Sequence, residues 1–265
     1  MTGPAGETLA FRTAGHGPPL VFLHGFLGSS ACWSALVPYL TDRYCCIALD
    51  LPGFGASGRP SGVYGVGTAV AGVAALVNAL NISPCGLVGH SFGGWVAAAY
   101  ALAYPESVYS LALVAAAGIR DDGFSQRFAW LRPLLWPHPW VDWGLQGVMP
   151  LARLVNRHRE VLRLRQFRQL LAQQPVARQF LLARLRPEAA VDTVDQDLPR
   201  LQVPALVVAG ERDRVIPLAH AQAYAQGIPQ AQLVVLPAAG HGLPQHHAAA
   251  LAPHLLDFWA GRNPI

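Results

Sequence analysis

Six residues, Gly89-His90-Ser91-Phe92-Gly93-Gly94, set a hydroxyl between nearly atomless neighbours. An apolar run at 84–88 precedes them and a small-residue stretch at 95–104 follows. A serine at the tip of a strand-to-helix turn must adopt a strained backbone, and the residues two before and two after it must let strand and helix approach. Gly89 and Gly93 meet that need, which makes Ser91 the candidate nucleophile of a hydrolase. A serine attacks poorly unless a base removes its proton and a third group holds that base in the right tautomer. Two stretches offer those groups, Gly210-Glu211-Arg212-Asp213-Arg214-Val215-Ile216-Pro217 and Ala239-Gly240-His241-Gly242. Serine, carboxylate, histidine is the chain order that accompanies such a turn. Of ten histidines, His241 alone stands directly beyond an apolar run in a glycine-bracketed loop, whereas Asp213 and Glu211 compete as the carboxylate.

These residues need elements to bring them together. Apolar, β-rich runs recur at 20–23, 44–49, 86–88, 111–114, 205–209 and 233–236, with helical-length segments at 31–40, 67–80, 95–104, 218–226 and 248–259. Alternating strand and helix predicts an α/β fold, a doubly wound and mostly parallel sheet. In such a sheet the loops beyond the carboxyl ends of the strands meet in one crevice, where Ser91, His241 and one of the two carboxylates would converge. The gap between Val114 and Ala205 is too long for one crossover helix. It contains Trp130, Trp136, Trp140 and Trp143, then an arginine-rich helical stretch at 151–185. The sequence therefore predicts a core of 1–119 and 201–265 interrupted by a helical cap at 120–200.

With these motifs in place the chain resembles, over essentially its whole length, the α/β-hydrolase superfamily. The family's G-x-x-D-x-apolar-apolar-Pro loop after its seventh strand maps to Asp213, in preference to Glu211, and its Gly-His loop after the eighth strand maps to His241. The resemblance makes Asp213 the residue that orients the imidazole and His241 the proton shuttle. Leu23-His24-Gly25-Phe26-Leu27-Gly28 resembles the family's His-Gly-x loop, which maps the oxyanion donors to the backbone N–H groups of Phe26 and Phe92. Asp50-Leu51-Pro52-Gly53-Phe54-Gly55-Ala56-Ser57 resembles a structural turn of the family, and His24 and His90 read as residues that tie loops together. The implied activity is a serine hydrolase cleaving a carboxylic ester through an acyl-enzyme, without cofactor or metal. C–C bond hydrolases and a menaquinone-pathway lyase share the triad, and the turn at 26–30 suits them too. A non-catalytic binding protein on the same shell is the reading from another class, against which the full set of Ser91, Asp213 and His241 counts.

Composition bounds the rest. At 265 residues, with 52% hydrophobic and 13% charged, the chain can bury a substantial core. The N-terminus lacks a basic start and an apolar h-region, and no run approaches bilayer length, so a soluble, cytoplasmic protein is expected. Cys32, Cys45, Cys46 and Cys85 show no metal-ligand spacing and read as reduced thiols. All 19 basic residues are arginine, and 13 of them fall between Arg120 and Arg200 against 8 carboxylates. The aromatic segment at 124–143 could wall a pocket for a small-molecule ester of some size, or only pack the cap. From Arg153 to Arg186 there are nine arginines and one carboxylate, Glu160, with apolar residues at 151, 154, 155, 161, 162 and 164 spaced for one buried face. These arginines could be a solvated surface, a dock for an acidic carrier protein or an anionic membrane, or a grip on a substrate carboxylate. Nucleic acid is not expected.

Overall fold

The computed structural model describes residues 1–121, 123, 126, 128–136, 138–184 and 192–262. The chain forms two compact units, Met1–Arg120 with Asp192–Ile265, and Asp121–Val191.

In the first unit a seven-stranded sheet is built from β1 (Phe11–Ala14), β2 (Pro19–Leu23), β3 (Cys45–Leu49), β4 (Cys85–His90), β5 (Val108–Val114), β6 (Ala205–Gly210) and β7 (Ala231–Leu236). Their order is β1-β3-β2-β4-β5-β6-β7, and every pair is parallel except β1 with β3. The expected mostly parallel, doubly wound sheet is thus present. Its central strands read as continuous apolar runs because both of their faces are covered. Leu20, Phe22, Val88, Ala112, Leu206 and Val208 share one buried cluster with Trp33 and with Leu251, Leu255 and Trp259 of the last helix. The alternate residues, Val21, Leu23, Leu87, Leu113 and Val207, are buried as well, and α2 (Phe92–Ala103) packs on β2, β4 and β5 with α1 (Val66–Leu80) beside it. The other helices of this unit are α7 (Leu218–Gly227), α8 (Leu243–His246) and α9 (Ala248–Trp259).

Two features differ from the sequence expectation. β1 lies at the sheet edge, and three of its four residues are exposed, so it carries no apolar run. The helix expected at 31–40 is instead two 3-10 turns, Ser30–Trp33 and Val37–Tyr39. Pro38 accounts for the interruption: it has no N–H with which to close an α turn onto the Ser34 carbonyl, and it is tolerated in the first positions of the second 3-10 turn. Among the described strands Asp213 follows β6 and His241 follows β7.

In the second unit the described helices are α3 (Trp140–Gly147), α4 (Met149–Leu154), α5 (His158–Gln173) and α6 (Pro175–Arg184), after 3-10 turns Ala129–Leu131 and Pro133–Leu135. The single helical stretch expected from 151 is broken at Asn156, which sits at φ 57, and again before Pro175. The break undoes the expected buried face: Leu151, Leu154, Val155 and Leu162 are exposed, whereas α5 buries Arg168 and Leu171. Arg168 is the hub of this unit. It grips both carboxylate oxygens of Asp142, Nε to Oδ1 at 2.6 Å and Nη2 to Oδ2 at 2.7 Å, and donates to the carbonyls of Leu134, Trp136 and His138. Those hydrogen bonds hold the Asp142 carboxyl below its ordinary range. Arg186 and Phe124, named in the sequence reading, lie outside the described residues.

Candidate active site

The turn at Ser91 is forced by what surrounds it. His90 pairs with Val114 as β4 ends, and the Ser91 N–H donates to the Val114 carbonyl at 3.0 Å. The Ser91 carbonyl then accepts from Gly94, Trp95 and Ala117. Held at both ends, Ser91 takes φ 54 and ψ −118, a region costly for a residue with a side chain. A Cβ on Gly89 would run into Gly93 and stand 2.5 Å from the Gly94 Cα, and one on Gly93 would collide with the Leu23 and His24 carbonyls. Both glycines therefore have the steric role read from the sequence. Gly94 is a third close approach, 2.5 Å from the Ala116 methyl, which the sequence reading did not single out.

The three residues proposed from sequence form one hydrogen-bonded chain. The Ser91 hydroxyl lies 3.0 Å from His241 Nε2, and His241 Nδ1 lies 2.8 Å from Asp213 Oδ2. With Nδ1 donating to the carboxylate, Nε2 is left as the acceptor for the serine proton. Asp213 Oδ1 accepts from the N–H groups of Val215 at 2.8 Å and Ile216 at 3.0 Å. Burial pushes the Asp213 carboxyl up, but the His241 hydrogen bond, the Ile216 and Val215 N–H groups and the imidazole charge outweigh it, and the net shift is downward. Glu211, the rival carboxylate, instead accepts from the Ala238 N–H at 2.8 Å and so braces the loop that leads to His241.

The residues mapped as oxyanion donors meet beside Ser91. Phe92 opens α2, so its N–H belongs to the first turn, which has no intrahelical acceptor. Gly25 abuts the nucleophile: a Cβ there would stand 3.1 Å from Ser91 Cβ. Phe26 follows, and its ring meets that of Phe92 edge-on at 6.1 Å. Leu27, at φ 60, turns the loop sharply after it. His24 and Asp50 hold this loop from below. His24 Nδ1 bonds the Gly25 carbonyl and Nε2 accepts the Leu51 N–H at 3.0 Å, while Asp50 accepts from Ser30 and Ala56. The turn at Asp50 is thus structural, as expected.

His90 also ties loops. Its Nε2 donates to the His241 carbonyl at 2.9 Å, its ring stacks 4.9 Å from that of His241, and burial pulls its pKa down to about 4. Tyr224 adds support that no motif signalled, donating at 2.6 Å to the carbonyl of Ala117, whose N–H bonds Ser91. Around the nucleophile Phe26, Phe54, Tyr64, Phe92 and Trp95 form a run of edge-to-face and tilted ring contacts at 5.7–6.5 Å. This aromatic wall comes from the core unit. Trp130, Trp136, Trp140 and Trp143, for which the sequence left a pocket wall and cap packing both open, are each more than half exposed. Among the described residues no His, Cys, Asp and Glu cluster could hold a metal ion. The four cysteines are free thiols, and burial raises Cys32, Cys46 and Cys85 to about 12.

A strained serine between a parallel strand and a helix, with a histidine and a carboxylate brought to it from later strand ends, defines a hydrolase class of the α/β type. The profile of the alpha/beta hydrolase fold matches residues 18–244, and the chain belongs to that family. It is 31% identical over 245 residues to a 2-hydroxy-6-oxo-2,4-heptadienoate hydrolase of Pseudomonas putida, covering 86% of this chain and 83% of that protein. It is 32% identical over 238 residues to a pimeloyl-[acyl-carrier protein] methyl ester esterase of Aeromonas hydrophila, covering 86% and 89%. Among solved structures, that of a bacterial membrane phospholipase A superposes with a TM-score of 0.79 at 27% identity, over 99% of this chain and 85% of that one.

Proposed function

We propose that this protein is a serine carboxylesterase acting through an acyl-enzyme on Ser91. The observation that carries the reading is the unbroken chain from the Ser91 hydroxyl through His241 to Asp213, at 3.0 and 2.8 Å. His241 takes the serine proton as Oγ attacks the ester carbonyl, and the N–H groups of Phe26 and Phe92 receive the oxyanion. The same imidazole protonates the departing alcohol, then draws a proton from the water that releases the acid. No cofactor or metal enters these steps. We assign the reaction to the cytoplasm on the same footing; among the described residues no helix is long and apolar enough to cross a membrane.

The aromatic wall favours an uncharged, apolar acyl group. A second reading comes from the Pseudomonas putida relative. A 2-hydroxy-6-oxo-heptadienoate contains no ester, so its hydrolysis breaks a C–C bond, and its carboxylate calls for a cation at the site. Against that reading, the arginines described in the core unit are exposed apart from half-buried Arg262, which bonds the Phe258 carbonyl. In the second unit Arg168 and Arg178 donate to that unit's own carbonyls.

Initial rates on nitrophenyl esters of increasing acyl length, beside a 2-hydroxy-6-oxo-dienoate, test the choice. Ester turnover with an apolar acyl optimum, lowered about 10⁴-fold or more in Ser91→Ala, is expected. Dienoate cleavage in place of ester cleavage moves the assignment to C–C hydrolysis. A folded protein inert on both weakens the hydrolase reading and moves lyase chemistry or pure binding ahead.

A further inference from the structure

We propose that the face of α4, with the groove it shares with α5, is a docking surface for an anionic lipid bilayer. At 100° per residue Val148, Leu151, Leu154 and Val155 fall within about 120° on one side of α4, with Ala152, the buried residue, at the edge of that side beside Val148. That side is open: Leu151 is 63%, Leu154 84% and Val155 59% exposed. Leu151 and Val155 continue into an apolar groove of about 270 Å³, closed on its far side by Val161 and Leu164 of α5. One helix earlier, Trp140 and Trp143 are 57% and 69% exposed. Single exposed apolar residues are ordinary, but Leu151, Leu154 and Val155 on one helix side, continuous with an apolar groove, mark an interaction surface.

Charge selects the occupant. Residues 121–191 carry eleven arginines against five carboxylates. Arg153, Arg159 and Arg163 are exposed, and among the described residues none forms an ion pair, whereas Arg157 pairs with Glu160 at 3.6 Å at the groove. A second copy of the same face would bring like charges together. An acidic carrier protein would use the arginines but leave the leucines and tryptophans in water. Only an anionic bilayer answers both, with phosphates at the guanidiniums and aliphatic and indole side chains below them.

The test is co-sedimentation of the full-length protein with vesicles of phosphatidylcholine alone and of phosphatidylcholine with phosphatidylglycerol. Binding to the anionic vesicles is expected to be at least about tenfold stronger and to fall with salt, at roughly fivefold per surface arginine. Leu151→Glu with Leu154→Glu is expected to lower it about tenfold or more. Serine at 153, 159 and 163 removes the lipid preference. Neither variant changes the thermal midpoint or the rate on a soluble ester, because these side chains are exposed. Equal binding to both vesicles overturns the proposal. So does retention on polyglutamate without vesicle binding, which indicates an acidic protein partner, or a dimer that the leucine variant dissolves. A raised KM for the soluble ester with unaltered vesicle binding makes the face a substrate wall and overturns it too.

Discussion

The two units of the chain handle polar groups in opposite ways. In the core unit the polar side chains that brace the Ser91 site are bonded one to one, His24 and Asp50 to the loop at 24–30 and Asp213 to His241, with His90 Nδ1 buried and, among the described residues, unpartnered beside them. In the second unit one arginine, Arg168, gathers three carbonyls and a carboxylate, while leucines, valines and tryptophans stand in solvent. The contrast teaches where tolerance lies. The chemistry proposed at Ser91 would depend on positions with no freedom, whereas the second unit concentrates its order in one hub and leaves apolar side chains exposed.

The largest way to break that contrast is a single methyl group in the core. Gly93→Ala places a Cβ against the backbone of Leu23 and His24, which cannot yield as a side chain would. It should cost about 3 kcal/mol or more of stability, read as a fallen chemical-denaturation midpoint. A midpoint within experimental scatter would mean that strand and helix are less tightly apposed than described.

Acid should act on the core next. His90 is held neutral, with its pKa near 4 against an ordinary 6.5, so the unfolded chain binds the extra proton between those values. Its contribution is intact above pH 6.5 and is lost as pH falls toward 4, by about 3 kcal/mol. Burial shifts His24 in the same direction. The depressed Asp213 adds a further loss only below its ordinary value of 3.8. Denaturation at pH 7 and pH 4.5 should show the drop, and His90→Gln should flatten it; an unchanged slope would contradict the buried, neutral assignment.

The smallest effect is expected in the second unit. Arg168→Met removes the hub and leaves carbonyls unpaired, at about 2 kcal/mol since Asp142 is half exposed and can be rehydrated. Hydrogen exchange should accelerate within 129–173 and remain slow in the sheet. Global unfolding at the same midpoint for both units would erase the distinction.

What was legible in the sequence follows the same line. The turn at Ser91 was readable because its sterics admit only small neighbours, and the loops carrying His241 and a carboxylate because they follow apolar strands, whereas the choice of Asp213 over Glu211 came from the family resemblance. β1 was not, since an exposed edge strand lacks an apolar run, and 31–40 looked helical until Pro38 is weighed. The arginine-rich stretch misled for a stated reason: periodicity through 151–164 presumes one helix, and Asn156 at φ 57 interrupts it. Arg168 as a buried hub gave no signal, because its partners are mostly backbone carbonyls, which every residue possesses.

The central claim is that Ser91 is activated through His241 by Asp213. Its most direct test is the rate at which a phosphonate ester labels the protein, with the adduct located by peptide mass in the parent, Asp213→Asn and Ser91→Ala. The account predicts one adduct, on Ser91, formed about 10⁴-fold more slowly in Asp213→Asn and absent in Ser91→Ala. An adduct on another residue, or equal labelling rates in parent and Asp213→Asn, would contradict it.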